Sequence, residues 1–275
     1  MKSDPLLRNI PVIFITASSE EDKGLIAGAI DYITKPFNPE IVRLRVANQI
    51  ELSSYRESLE RMVEEKAWEL IATKETFLET MATMIEYRSL ESGEHIRRTK
   101  ELTGILVKQL MNHPTYGFKL IMSNPVTISQ AAPLHDVGKI GIPDHILLKP
   151  GRLTSEEFKI IETHAIIGSE MIATMMSEKH DDYLQHCYDI ARHHHERWDG
   201  KGYPDGLSGE EIPLAARIVA LVDVYDALVS ERCYKESMSH EDAMDIIKKE
   251  SGTHFDSEIV KALIEVEDKV CELYQ

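Results

Sequence analysis

Three consecutive histidines, His193, His194 and His195, stand directly before a glycine-rich aromatic stretch in HHHERWDGKGYPDG, residues 193–206. A ring nitrogen without a partner is costly to bury. Such a run is therefore either decoration on a wet surface or a set of ligands beside a loop that covers what they hold. In APLHDVGKIGIPD, His135 and Asp136 sit side by side after an apolar stretch, with Lys139 close behind. Glu91 and His95 are four residues apart, which places both on one helix face, a usual arrangement for two ligands of one site. His164 lies among apolar residues in FKIIETHAIIGSEMI, where a lone histidine is more often a satisfied core residue. Asp223 is surrounded by Ile218, Val219, Leu221 and Val222, and a carboxylate there needs a paired charge or a metal. A plain hydrogen-bonded His–Asp pair would account for residues 135 and 136 alone. One arrangement accounts for all of these residues together: inward-facing His, Asp and Glu side chains from several helices of a bundle converging on a multi-metal centre. Imidazole and carboxylate donors without thiolate suit iron or manganese better than a structural zinc site.

The elements that must position these residues can be read along the 275-residue chain. IPVIFIT (10–16) and IDYITKPF (30–37) read as buried strands, with SSEEDKGLIAGA between them as a short capped helix. From Asn38 to about Arg88 there is no glycine, and Pro39 is the only proline. Leu52, Tyr55, Leu59 and Met62 follow 3-4-3 spacing, the seam of a coiled coil or of a packed helix, and the stripe then drifts through Ala67, Leu70, Phe77, Met81 and Met84. Beyond this the periodicity is helical. Capping boxes are expected at Thr154 with Glu157 and at Ser239 with Asp242, and LKPGRL, WDGKGYPDGLSG and ESGTHFD act as loop punctuation.

The bulk numbers exclude several functions. A formal net charge of −16 disfavours DNA or any long polyphosphate as partner, yet leaves room for a small phosphorylated ligand held by a few local cations. Cys187, Cys233 and Cys271 are scattered and show no CxxC spacing, which fits a reducing, cytoplasmic setting and no thiolate zinc site. No apolar run approaches a membrane span, and Met1 opens no signal-peptide pattern. His113, His145, His180, His186, His240 and His254 have no evident partner in the sequence and are read as surface or core residues.

HDVGK, followed about sixty residues later by HHERWDGKGYP, resembles the HD-GYP family, a bacterial branch of the HD phosphohydrolases, over roughly Glu91 to Asp256. The fold this resemblance implies is mainly α: an all-α HD-type helical bundle spanning 81–275, preceded by a linker helix over 38–80. Residues 1–37 resemble the C-terminal part of a response-regulator receiver domain, with Thr16 and Lys35 at that family's signalling positions and a cis Lys35–Pro36 peptide expected. The receiver's earlier strands, acidic pair and phosphoacceptor aspartate have no counterpart here, so this segment is expected to be loosely packed and not to be phosphorylated by the usual route.

The HD-GYP resemblance implies hydrolysis of cyclic di-GMP to pGpG or GMP, with a metal-bridging hydroxide as nucleophile and two or three divalent ions, iron or manganese. His135, Asp136, His164, His194, His195 and Asp223 would form a two-metal site, with Asp136 bridging. Glu91 and His95 would match the ligands of three-metal members, which tilts the product toward GMP. His193 would be a bystander. Lys139, Arg232 and Lys235 correspond to the family's phosphate-contacting cations, and Trp198 and Tyr203 offer flat faces for a guanine. The loop also contacts partner proteins in the family, notably diguanylate cyclase (GGDEF) domains, and the linker helix implies a homodimer. Other HD-type activities, a nucleotide phosphatase or a diiron oxygenase, are disfavoured by the GYP loop and the Arg232/Lys235 pair. A domain that binds cyclic di-GMP without cleaving it is the non-enzymatic alternative.

Overall fold

The structure, a computed structural model, describes residues 10–17, 29–89, 93–176, 181–230 and 238–274. The chain divides into two units, Met1–Thr73 and Lys74–Gln275. In the first, β1 (Ile13–Thr16) and β2 (Asp31–Thr34) pair in parallel, in register from Ile13 opposite Asp31 to Thr16 opposite Thr34. The Lys35 amide extends the ladder to the Thr16 carbonyl at 2.8 Å, and the Lys35–Pro36 peptide is cis. The helix expected between the strands lies outside the described residues. Two strands alone can bury little apolar surface, and Phe14 and Ile15 remain exposed.

The glycine-free run forms one helix, α1 (Pro39–Arg88), 50 residues long. Asn38 caps it by accepting from the Glu40 amide at 2.9 Å, and proline occupies the first turn, where its missing N–H is not needed. The helix passes from the first unit into the second. Its 3-4-3 stripe of Leu52, Tyr55, Leu59 and Met62 is exposed.

The second unit contains α2 (Gly93–Leu110), α3 (Gly117–Met122), α4 (Pro125–Ala131), α5 (Asp144–Leu147), α6 (Ser155–Ala173), α7 (Asp182–His193), α8 (Leu214–Val229), α9 (His240–Lys249), α10 (Ser257–Glu265) and α11 (Glu267–Leu273), with no strand among its described residues. The architecture is mainly α, as the periodicity predicts. At its centre is α8, apolar nearly all round, with Ile218, Val219, Leu221 and Val222 fully buried. It packs on α2, through Leu102 and Leu106, and on α7, through Ile190. Thr154 and Glu157 cap α6 reciprocally, as expected, and Ser239 caps α9 by accepting from the Asp242 amide at 3.1 Å. A buried Arg217–Asp256 pair at 2.7 Å, joined by the Tyr116 hydroxyl, ties α8 to the start of α10.

Candidate metal centre

Each described candidate of the cluster sits near a helix end, in a short turn or on an inward helix face. His95 is in the first turn of α2, on the face that buries Thr99, Leu102 and Leu106. His135 and Asp136 lie between two 3-10 turns, Ala132–Leu134 and Val137–Gly141, and the second of these carries Lys139. That stretch lies directly against α6: a Cβ on Gly138 would meet the His164 carbonyl oxygen at 1.9 Å and the Gly168 nitrogen at 2.5 Å. His164 comes from α6, His194 and His195 follow the last turn of α7, and Asp223 comes from α8.

Local hydrogen bonds decide which nitrogen each ring presents. His135 Nδ1 lies 2.9 Å from the Ala132 carbonyl, His164 Nδ1 2.6 Å from that of Ile161, and His194 Nδ1 2.9 Å from that of Ile190. His95 Nδ1 lies 2.7 Å from Asp226 Oδ2. A ring that donates from Nδ1 keeps a lone pair on Nε2, the tautomer a metal ligand needs.

These Nε2 atoms converge on two carboxylates. Asp136 Oδ1 is 3.2 Å from His164 Nε2 and 3.8 Å from His194 Nε2, while its Oδ2 is 3.1 Å from His135 Nε2. Asp223 Oδ1 is 3.8 Å from His135 Nε2 and 3.9 Å from His95 Nε2. Asp136, His164, His194 and His195 form one group with ligand atoms all within 4.8 Å of one another, and His95, His135 and Asp223 form a second. Donor atoms about 2.1 Å from a shared ion stand roughly 3 to 3.5 Å apart, close to the separations here. The buried His135 Nε2 and Asp136 Oδ1 have no hydrogen bond of their own, which is how a metal donor atom is left by its protein surroundings. The His/Asp cluster therefore fits a metal site by donor chemistry and by spacing.

Its electrostatics are divided. Burial alone would depress the His135 imidazole, but Asp136, Asp223 and Glu86 outweigh it and push the group up to about 10. Burial, together with repulsion from His164, drives His195 down to about 3, and burial with His195 and His135 holds His194 well below the usual range. Burial opposes ionisation of Asp136, yet Lys139, His135 and His164 hold it well below the carboxylate norm. Lys139 Nζ is 2.7 Å from Asp136 Oδ2 and 3.4 Å from Glu86 Oε2.

The remaining candidates are distributed as follows. Tyr203 lies over the cluster, its ring 4.8 Å from that of His195 and tilted by 32°. The loop that brings it there needs glycine: a Cβ on Gly202 would meet the Arg197 nitrogen, Glu196 Cα and His195 oxygen, each at 2.5 Å, and Gly200 has φ +75°. Glu196 closes the loop by accepting from the amides of Asp205 at 2.7 Å and Gly206 at 3.0 Å. Trp198 faces elsewhere, its ring under the Arg217 guanidinium at 5.6 Å. His193 leaves the cluster to meet Asp205 at 3.1 Å. Glu91, Arg232 and Lys235 lie outside the described residues, as do His180 and Cys233.

Sequence reasoning passed over Asp226, one turn beyond Asp223 in DVYDAL, which holds His95. It also passed over Glu86 and Arg88 at the end of α1. Arg88 donates to the carbonyls of Lys139 at 2.9 Å, Ile140 at 2.8 Å and Ile142 at 2.6 Å, and pairs with Asp144. Of the histidines read as surface or core, His113 pairs with Glu258 at 3.1 Å, His186 bonds Thr127 at 2.8 Å and His240 bonds Tyr225 at 2.7 Å. His254 stacks on Phe255, and His145 is exposed.

Comparison with known proteins gives the family. The HD domain family matches residues 58–259. A protein of Vibrio cholerae named probable cyclic di-GMP phosphodiesterase is 38% identical across 100% of this chain and 65% of its own length. A second Vibrio cholerae protein, named cyclic di-GMP phosphodiesterase, is 44% identical over 73% of this chain and 41% of its own length. The cyclic di-GMP phosphodiesterase response regulator RpfG of Xanthomonas campestris is 39% identical over 94% of this chain and 68% of its own length. The chain thus spans 65% and 41% of the two Vibrio relatives. With His135 and Asp136 at the junction of the helices this match covers, the chain belongs to the HD domain family.

Proposed function

We propose that this chain is a metal-dependent phosphodiesterase that hydrolyses cyclic di-GMP to pGpG or GMP. The observation that carries this reading is that Asp136, His164, His194 and His195 form one group of ligand atoms and His95, His135 and Asp223 a second, the two meeting at His135 and Asp136. The names of its relatives supply the substrate. Two or three divalent ions, iron or manganese, would be held by these residues, with Asp136 shared between the two groups and Glu91 added for a third. Such ions, when bound, supply Lewis acidity and a water-derived nucleophile.

The chain's own residues do the rest. The carbonyl and carboxylate partners at Nδ1 hold a proton on that nitrogen, which leaves Nε2 facing the cluster and fixes its aim. Lys139, held beside Asp136, balances charge that builds on the phosphoryl oxygens, and Arg232 and Lys235 are assigned to the second phosphate. Tyr203, stacked on His195, covers the site and excludes water from one side. Tyr203 as a guanine platform, and the same loop as a docking point for GGDEF domains, belong to this reading.

At the level of the chain, residues 1–37 are a partial receiver-like segment, 38–80 a linker and 81–275 the catalytic domain. The exposed 3-4-3 stripe of α1 supports pairing with a second copy. Among the described residues no helix is long and apolar enough to cross a membrane; a cytoplasmic location is part of the proposal.

The test is anaerobic incubation of the protein with Fe(II) or Mn(II) and cyclic di-GMP, followed by chromatography. Linear pGpG or GMP is expected from the wild type and none from Asp136→Asn. Binding without any product would replace the hydrolase with a sensor.

A further inference from the structure

In this acidic chain the cations are mostly matched locally. Among the described residues every arginine has a carboxylate within 4.0 Å except Arg152. Lys159, seven positions further on, also has no ion-pair partner among the described residues. Both line one groove of about 580 Å³ at the start of α6, together with Phe158 and Glu162. A volume of this order accommodates a small ligand. Phe158 is 48% exposed. Its ring stands edge-on to Tyr203 at 6.5 Å, and Tyr203 in turn lies on His195. A continuous aromatic step therefore leads from the candidate metal centre into a groove with two uncompensated cations, an open ring face and one carboxylate. Nothing in the chemistry at the metal centre uses these four residues.

We propose that this groove seats the distal nucleotide of a cyclic dinucleotide whose other phosphodiester lies at the metal centre. Phe158 stacks on the distal base, and Arg152 and Lys159 add positive charge beside that nucleotide, with Arg232 and Lys235 left to the second phosphate. Glu162 accepts from base N–H donors. Guanine presents two such donors side by side, N1–H and the exocyclic amine, which match a carboxylate. Adenine presents a lone pair at N1, which a carboxylate repels. The groove therefore selects guanine, and the proposal rests on the phosphodiesterase reading above.

The test compares two substrates on one metal-loaded protein: cyclic di-GMP, which would fill the groove, and bis(p-nitrophenyl) phosphate, which is too short to reach it. The ratio of kcat/KM for cyclic di-GMP to that for the small diester is expected to fall about tenfold or more in Arg152→Glu/Lys159→Glu, and similarly in Phe158→Ala, mainly through KM for the dinucleotide. Glu162→Gln is expected to narrow the preference for cyclic di-GMP over cyclic di-AMP. Ratios within about twofold of wild type in both groove variants would overturn the proposal. If the wild type turns over neither substrate, the phosphodiesterase reading fails, and calorimetric binding of cyclic di-GMP to the same proteins decides on the groove. Weaker binding in the variants upholds it, while equal binding, or none to the wild type, overturns it.

Discussion

At His95 a second carboxylate decides which way the ring points. Asp226, one turn beyond Asp223, is 1% exposed and accepts from His95 Nδ1, from Arg98 Nε at 2.6 Å and from the Tyr274 hydroxyl at 2.8 Å. Burial works against its charge, yet the His95 and Arg98 hydrogen bonds hold the carboxyl far below its usual range. The arrangement is a carboxylate–imidazole pair of the kind that orients and strengthens a metal ligand. Asp226→Asn keeps the size of the side chain and removes the charge. It is expected to weaken metal binding about 10- to 100-fold, read as lost metal stoichiometry by elemental analysis on dilution, with the helical circular dichroism retained. Unchanged stoichiometry would confine Asp226 to packing.

At the scale of elements, the close approach of the 135–141 stretch to α6 carries the site. Because a Cβ at Gly138 would meet backbone rather than a movable side chain, Gly138→Ala must push His135 and Asp136 away from His164. A loss of roughly 3 kcal/mol is expected, visible as a lowered melting temperature together with reduced metal retention. A variant that melts like the wild type would show that the loop has room to spare. The same elements show what can be read in advance. The two strands, the long helix and the caps at Thr154 and Ser239 follow from local propensity, periodicity and capping, which act over a few residues. His194 and His195 are legible because a motif keeps them together. Asp226, Arg88 and Glu86 are not, since each acts through a partner at least 48 positions away, such as Tyr274 for Asp226 at 48, Lys139 for Arg88 at 51 and Lys139 for Glu86 at 53, and no local pattern announces such a pairing. The sequence offers Trp198 as an aromatic face for a base, whereas in the structure its ring lies under the Arg217 guanidinium.

For the molecule as a whole, the cluster couples stability to pH from two directions. His135 stands at about 10 against an ordinary 6.5, so it favours the folded metal-free chain fully below pH 6.5, and that contribution drains away as pH rises toward 10. His195 stands at about 3 against the same 6.5, so the unfolded chain takes up the proton first and stability falls as pH drops from 6.5 toward 3. The metal-free protein is expected to melt highest near neutral pH and lower on both sides. Saturating Mn(II) should flatten the alkaline limb, because a bound ion requires His135 neutral in any case. Differential scanning calorimetry from about pH 3 to about pH 10, with and without the ion, spans both limbs, and a metal-free melting temperature that keeps climbing above about pH 8 would contradict the assignment.

Arg88 closes the 50-residue rod by gripping three carbonyls of the very stretch that bears Lys139. Any displacement of that last turn therefore meets a rivet instead of a slack tether. The final turn of the rod and the lysine beside Asp136 must loosen or tighten as one mechanical part.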